Sequence, residues 1–273
     1  MYPILFKIGP VTIYTYGVCI FLGVILGYFV CLKEAEKEGV DKNVFSDIIF
    51  WALIFSFIGA RLLYILVEFK TFLKDPISLL FARSGFVFYG GVIFGFISSY
   101  LLTKKRGVNF LKFADIAAIG IPLGHCLGRL GCFFYGCCYG RPTSSFAGVL
   151  FPPASPAGLL AVKVIPTQLI SSFFLFLIFL ILIFLKKRKK FDGQILFSYF
   201  LFYGIFRFII EFFRADPRGG IYCLPAGTLI PLRAQSGTGE FFLSTSQFLS
   251  LGLIVLSIFM FRRLLRKKIK WKK

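Results

Sequence analysis

Two arginines stand among glycines and cysteines in the most distinctive segment of this apolar chain. The segment reads Gly-Arg-Leu-Gly-Cys-Phe-Phe-Tyr-Gly-Cys-Cys-Tyr-Gly-Arg-Pro-Thr and covers residues 128–143. An arginine beside lipid is costly and is usually kept for a function. Glycines allow a backbone to come close to a bound group. The residue types and their spacing therefore predict a functional site in this segment.

A second group of charges lies further along the chain, at Arg207, Glu211 and Arg214. In a helix the spacing i, i+4 and i+7 places all three on one stripe. In one interpretation, Glu211 is clamped between the two arginines and neutralises them. In the other, one arginine stays free to hold an anionic group, and its planar guanidinium suits phosphate. We favour the second interpretation, because two cations face a single carboxylate.

His125 is the one histidine of the sequence and lies four residues before Arg129. If the helix continues this far, the two side chains share a face. A nearby cation disfavours a charged imidazole, and a neutral imidazole can act as a general base. The alternative is a hydrogen-bonded histidine in the protein core.

Four cysteines close to His125 raise the question of a zinc site, because Cys and His are the usual zinc ligands. They are Cys126, Cys132, Cys137 and Cys138. The spacing lacks a Cys-x-x-Cys pair, and two adjacent cysteines are strained as ligands of one ion. A disulfide from Cys132 to Cys137 or Cys138, or plain packing, is favoured over a metal. We therefore expect no metal here.

The elements that must position these residues are membrane helices. Hydrophobic residues make up 58% of the 273 residues and charged residues only 16%, which excludes an ordinary soluble domain. We predict an all-α polytopic bundle in a single domain over residues 1–273. Apolar runs that can cross a bilayer, each needing about 20 residues, are 14–32, 44–69, 86–102, 114–128, 166–185, 194–213 and 243–261.

The formal net charge of +20 follows from membrane topology rather than from nucleic-acid binding. Basic residues cluster after the first, third, fifth and seventh predicted spans, and the positive-inside rule places these loops in the cytoplasm. The N-terminus is then outside, and the basic tail 262–273 is cytoplasmic. Loops 129–165 and 214–242 are predicted to be extracytoplasmic, so the site opens outward.

Short pieces of this sequence occur in the order known from one family of membrane enzymes. The pieces are Tyr16-Gly17, Gly59-Ala60-Arg61, Gly90-Gly91, Ala114-Asp115, Gly128-Arg129-x-Gly131, Gly140-Arg141-Pro142-Thr143, Pro166-Thr167-Gln168, Arg207 to Arg214, and Thr245-Ser246-Gln247. Together they resemble the bacterial phosphatidylglycerol:prolipoprotein diacylglyceryl transferase family, over Tyr16 to about Arg262.

The resemblance implies transfer of the diacylglyceryl group of phosphatidylglycerol to the lipobox cysteine of a preprolipoprotein, with release of glycerol phosphate. Both substrates would enter from the bilayer, and the enzyme would be a monomer of the bacterial cytoplasmic membrane that needs no cofactor. One alternative is a lipid-binding paralogue without activity. Another is a related transferase with a different acceptor. A transporter or channel is disfavoured, because the sequence shows no internal repeat.

The resemblance also implies roles for individual residues. Arg129 and Arg207 would stabilise the phosphate leaving group, with Arg214 and Arg141 behind them. Tyr89, Glu211 and His125 are the candidates for taking the thiol proton, and arginines near Tyr89 would have to lower the pKa of its phenol. The remaining expected substrate-binding residues are Tyr16, Arg61, Gly90, Gly91, Gly128, Gly131, Gly140, Gln168 and Gln247.

The sequence departs from the usual form of the family at several positions. Tyr89 replaces a histidine implicated in activity, Cys132 and Tyr135 replace asparagines, and Cys137 replaces a glutamate. Another acid is lost within Leu169-Ile170-Ser171, and residues 221–242 form a longer loop. The departures change the acid and base groups, whereas the arginines and glycines match.

Overall fold

The computed structural model describes residues 3–9, 11–81, 85–215 and 243–270. The chain forms two compact units. Unit 1 contains the residues up to Cys31 together with those from Ala117 onward, and unit 2 contains Leu32–Ile116. The single domain expected from the sequence stays a prediction. Most of the expected loop 214–242 lies outside the described residues.

Seven long helices coincide with the seven predicted spans. Six of them are long and apolar enough to cross a membrane, and the fifth helix of the chain is not among the six. The protein is thus a mostly helical, multi-pass membrane protein. The helices are α1 (Thr15–Lys37), α2 (Lys42–Val67), α3 (Phe69–Lys74), α4 (Pro76–Phe81), α5 (Phe88–Lys105), α6 (Phe110–Tyr135), α7 (Thr167–Lys186), α8 (Gln194–Glu211) and α9 (Thr245–Lys270).

A β-hairpin precedes α1, which the all-α expectation did not include. Strand β1 (Ile4–Ile8) pairs antiparallel with β2 (Val11–Tyr14), and Ile8 lies opposite Val11. Gly9 has a positive φ of 54°, a conformation that glycine adopts without steric cost.

Helix α6 is longer than the predicted span 114–128 and carries Arg129 and Cys132 within the helix, not in a loop. Neither Gly128 nor Gly131 ends it, because an internal glycine costs a helix only about 1 kcal/mol. The helix ends before Gly136, which has a φ of +79°. Half of the most apolar window of α6 is buried, a larger share than in the other five candidate spans.

Close helix contacts in unit 1 are made by glycines spaced by one turn. A Cβ atom at Gly23 of α1 would come within 2.8 Å of the carbonyl oxygen of Gly124 in α6. One turn away, a Cβ atom at Gly27 would come within 2.9 Å of the Gly120 carbonyl oxygen. Such small residues let two membrane helices approach at the backbone. They hold α1 against the part of α6 that leads to Arg129.

In unit 2, Gly90 of α5 faces Gly59 of α2, and a Cβ atom at Gly90 would overlap the Gly59 carbonyl oxygen. We expect Gly90→Ala to lower the free energy of unfolding by about 1–3 kcal/mol, because the two backbones must separate. Thermal unfolding of the purified protein in detergent measures this change. Gly252→Ala in α9 is the control, since a Cβ there meets no described atom within 4 Å. Equal unfolding temperatures for the two variants would contradict the prediction.

Candidate functional site

Arg129 projects from the last turns of α6 as a half-buried cation. No carboxylate of the described residues lies within ion-pair distance of its guanidinium. A membrane-embedded arginine without an acidic partner is costly unless it binds an anion. The groups close enough to interact with it electrostatically are Tyr16, His125, Cys132, Cys138 and Tyr199.

The two glycines that flank Arg129 have different surroundings. A Cβ atom at Gly128 would meet nothing within 4 Å in the described part of the chain. A Cβ atom at Gly131 would lie 3.0 Å from the Cβ of Cys19 and 3.1 Å from the Tyr16 ring. Gly131 therefore allows α1 to pack closely, whereas Gly128 leaves open space beside the arginine.

A group of aromatic rings surrounds His125, which lies one turn before Arg129 on α6. The His125 ring is centred 5.5 Å from that of Tyr203, which stacks on Tyr199 at 5.7 Å. His125 also senses the charges of Arg129 and Arg207. The sequence analysis missed both tyrosines. Their spacing of four residues from each other and from Arg207 along α8 is the signal that could have found them.

Arg207 and Glu211 form an ion pair, with 2.7 Å between Nη1 and Oε2. Both side chains are nearly buried, with exposed fractions of 13% and 11%. Arg207 Nη2 lies 3.0 Å from the Ser246 Oγ and donates to it, and the Ser244 hydroxyl donates to Glu211 Oε1 at 3.1 Å. The network joins the end of α8 to the start of α9. The Glu211 carboxylate is thus a counter-charge for Arg207.

Arg214 does not continue the charged stripe, which corrects the sequence-based expectation. Helix α8 ends at Glu211, and Arg214 instead forms an isolated β-bridge with Gly140. Its side chain is buried and interacts electrostatically with Cys138. A stripe at i, i+4 and i+7 requires a helix that runs through all three positions, and this one stops too early.

Gln247 closes the first turn of α9 in a capping box with Ser244. The Ser244 N–H donates to Gln247 Oε1 at 2.9 Å, and the Gln247 N–H donates to Ser244 Oγ at 3.2 Å. The Gln247 Nε2 is buried without a hydrogen-bond partner in the described part of the chain. The residue thus has a structural role in addition to the expected contact with substrate.

Three cysteines converge at the end of α6. The Sγ atoms of Cys132, Cys137 and Cys138 lie within 4.8 Å of one another, and all three thiols are free. Cys132 is buried, and the other two are half-buried. Cys138 has a φ of +61°, which is uncommon for any residue except glycine. This left-handed conformation brings two adjacent thiols together, which we did not expect from the sequence.

The loop that carries these cysteines is fixed by the first turn of α7. The Thr167 hydroxyl donates to the Cys138 carbonyl oxygen at 2.8 Å, and Gln168 Nε2 donates to the Cys137 carbonyl oxygen at 2.7 Å. Thr167 and Gln168 are each only 1% exposed. Gln168, which we expected to bind substrate, therefore positions the cysteines.

The electrostatic surroundings favour a thiolate at Cys138. The neighbouring thiols of Cys132 and Cys137 hold the pKa of Cys138 well below the ordinary range of a cysteine. The guanidinium groups of Arg214 and Arg129 act in the same direction. A cysteine of this kind is a good nucleophile and a good metal ligand.

Gly140 and Arg141 belong to a short backbone ladder beside the cysteines. The Gly140 N–H donates to the Ile165 carbonyl at 3.0 Å, and the Arg141 N–H donates to the Phe213 carbonyl at 2.9 Å. A Cβ atom at Gly140 would lie 2.7 Å from the Ile165 oxygen, so a glycine is needed for this pairing. The ladder places the half-buried Arg141 near the C-terminal end of α8.

Four of the predicted site residues belong to unit 2. Arg61 donates to the carbonyl oxygens of Gly85, at 2.8 Å, and of Leu79. Its guanidinium also lies over the Tyr64 and Phe86 rings. These contacts give Arg61 a local structural role.

The other three predicted site residues of unit 2, which are Tyr89, Gly90 and Gly91, lie in the first turn of α5. Gly90 and Gly91 face α2, where a Cβ at Gly91 would be 3.3 Å from the Ser56 carbonyl oxygen. Tyr89 is 37% exposed, and its ring contacts that of Phe88. The two glycines therefore serve helix packing, and Tyr89 remains accessible.

An apolar groove of about 690 Å³ runs between α7 and α8 in unit 1. Its volume falls within the range of about 300–1,000 Å³ that is typical of ligand pockets. Thr143 and Ser145 form a polar rim at one end, and aliphatic and aromatic residues such as Phe174, Ile178 and Phe206 line the rest. The groove suits a hydrocarbon chain.

Comparisons with known proteins identify related chains over nearly the whole length. The family profile described as prolipoprotein diacylglyceryl transferase matches residues 3–263. A phosphatidylglycerol–prolipoprotein diacylglyceryl transferase of Clostridium tetani is 35% identical over 263 residues, covering 96% of this chain and 97% of the relative. A second such enzyme, from Finegoldia magna, is 40% identical over 213 residues, covering 77% of this chain and 83% of the relative.

Proposed function

The chain belongs to the prolipoprotein diacylglyceryl transferase family, and we propose that Arg129 is the residue that binds the phosphate of its lipid substrate. The protein transfers the diacylglyceryl group of phosphatidylglycerol to the thiol of the lipobox cysteine of preprolipoproteins, and glycerol phosphate is released. The observation that supports Arg129 is its position in a membrane helix without a carboxylate partner among the described residues.

The reaction explains why a fixed cation is needed. A thiolate attacks the glycerol carbon that carries the phosphate ester, a thioether forms, and the carbon–oxygen bond breaks. Negative charge grows on the departing phosphate as this bond breaks. A guanidinium already in place stabilises that charge strongly in a site with little water. The open space at Gly128 supports the same location, because a phosphate could approach the helix backbone there.

We assign the other arginines to supporting roles. Arg207 is paired with Glu211, so we propose that it positions α8 against α9. Arg141 and Arg214 lie in the short backbone ladder beside the cysteines. There they would attract the anionic headgroup before it reaches Arg129.

The candidates for the thiol proton differ in their surroundings. Glu211 is already bound to Arg207 and Ser244. His125 lies against Tyr203, with Arg129 and Arg207 nearby. Tyr89 remains the sequence-based proposal, although only a phenolate can accept a proton. A Tyr89→Phe enzyme with full activity would remove Tyr89 from the mechanism.

We propose that the groove between α7 and α8 holds an acyl chain of the lipid. Its lining is almost entirely apolar, and its polar rim at Thr143 lies in the same outer segment as Arg141. We further propose seven spans, with the N-terminus outside and the C-terminus in the cytoplasm, in the bacterial cytoplasmic membrane. The basic residues at and beyond the C-terminal ends of α5, α7 and α9 support this orientation.

The direct test is to incubate the reconstituted protein with phosphatidylglycerol and a lipobox peptide, and to weigh the peptide by mass spectrometry. We expect the mass of one diacylglyceryl group to be added to the peptide's cysteine. The same peptide with serine in place of cysteine is the control and should remain unmodified. Lipid binding without any added mass would instead indicate an inactive paralogue or a different acceptor.

A further inference from the structure

We propose that Cys132, Cys137 and Cys138 bind a Zn²⁺ ion, and that the thiol of the substrate cysteine takes the fourth coordination position. The inference rests on the proposed function, because it concerns the activation of the thiol in that same reaction. It starts from the convergence of three free Sγ atoms within 4.8 Å of one another.

The arrangement of the thiols suits zinc. With Zn–S bonds of about 2.3 Å, tetrahedral geometry places sulfur atoms about 3.8 Å apart. The cysteine sulfurs lie within 4.8 Å of one another, so no pair exceeds this spacing by more than about 1 Å. Three protein ligands also leave one position open, which is the usual arrangement of zinc sites that act on a substrate.

The backbone around the cysteines is built to hold this geometry. Cys138 is kept in the left-handed region, a strained conformation that must be supported by its surroundings. The support comes from the buried Thr167 and Gln168, which hold the carbonyls of Cys138 and Cys137. Rigid outer contacts of this kind fix the ligands of metal sites.

The charges nearby balance those of a zinc–thiolate centre. Zinc with four thiolates, three from the protein and one from the substrate, carries two negative charges. Arg129 and Arg214 supply two positive charges, and both interact electrostatically with Cys138. Arg129 lies one turn before Cys132 on α6. The attacking sulfur and the phosphate of the lipid would thus be held side by side.

The chemistry of the step balances without an oxidant or reductant. The substrate S–H bond breaks, its proton passes to water, and the sulfur binds zinc as a thiolate, since a coordinated thiol is deprotonated outright. The bound sulfur then forms the bond to the glycerol carbon. The electron pair of the broken carbon–oxygen bond leaves with the phosphate, and the neutral thioether dissociates from zinc. Zinc would thereby take the place of a side-chain base in activating the substrate thiol.

Metal binding is tested first, independently of activity. The full-length chain, purified in detergent and freed of metal by a chelator, is titrated with Zn²⁺ and with Co²⁺. We expect about one ion per chain and thiolate-to-Co²⁺ charge-transfer absorption. Cys132→Ser and Cys138→Ser should each weaken binding roughly 100-fold or more. Cys126→Ser is the matched control, because the Cys126 thiol contacts Ser172 and lies outside the cluster.

The role of the metal is tested with substrates. A lipobox peptide should change the Co²⁺ spectrum, whereas its serine counterpart should not, and chelation should stop transfer until Zn²⁺ is restored. Binding of zinc by a chain that never modifies the peptide would contradict the proposed function and leave the metal site standing. A chain that transfers the lipid while free of metal would overturn the zinc proposal alone. A Cys132–Cys137 or Cys132–Cys138 disulfide in the active protein would also overturn it.

Discussion

Replacing Arg129 by alanine is expected to lower kcat by roughly 10²–10³-fold while the protein stays folded. The guanidinium is the cation that faces the growing negative charge of the phosphate leaving group, and no described carboxylate neutralises it. Removing the guanidinium should destabilise the transition state more than it weakens the binding of the lipid. We therefore expect kcat to fall by a larger factor than KM rises. Initial rates of peptide modification at several lipid concentrations measure both constants.

Two further variants distinguish phosphate binding by Arg129 from a general effect of removing a positive charge. Arg129→Lys keeps the charge and loses the planar fork, so we expect a rate between those of alanine and wild type. Arg188→Ala removes an arginine that packs on the Phe184 ring, away from the site, and should keep the wild-type rate. A near-normal rate for Arg129→Ala would reject the assignment of the phosphate to this residue.

Replacing Glu211 by alanine is expected to destabilise the protein by about 3 kcal/mol, because the nearly buried Arg207 then loses its counter-charge. The loss also frees the hydroxyl of Ser244 at the start of α9. Thermal unfolding in detergent should show a lower midpoint for this variant. If Glu211 were instead the catalytic base, its replacement would abolish transfer and leave the unfolding midpoint unchanged.

A double-mutant cycle separates the ion pair from other effects of Glu211. Arg207→Ala together with Glu211→Ala removes both charges, so the double variant should be more stable than the sum of the two single changes predicts. Additive changes would show that the two side chains do not stabilise each other. The comparison requires no assumption about the reaction.

The sequence was sufficient to find the helices and the neighbourhood of the site. Hydropathy is a local property of about 20 residues, and the seven predicted runs coincide with the seven long helices. Arg129 could be singled out because an arginine within apolar sequence is costly wherever the helix lies. The family was also accessible, because its motifs are short and keep their order along the chain.

The partners of the charged groups could not be read from the sequence. Arg207 donates to Ser246, 39 residues away, and Glu211 accepts from Ser244, 33 residues away. The order of Arg207, Glu211 and Arg214 along the sequence is compatible with both interpretations of this group of charges. Only the packing of α8 against the start of α9 decided that Glu211 is bound to Arg207. Because α8 ends at Glu211, Arg214 does not lie on the same helical stripe.

The sequence by itself determined a membrane-embedded helical enzyme with an arginine–glycine–cysteine segment. Composition and the order of short motifs can be read directly from the sequence. The tertiary structure decided what that segment can do. Whether adjacent cysteines diverge or meet depends on one backbone torsion, the φ of +61° at Cys138. That torsion is held by Thr167 and Gln168, which lie 29 and 31 residues from the cysteines that they fix. Contacts over such distances depend on how helices pack, and no local pattern specifies them.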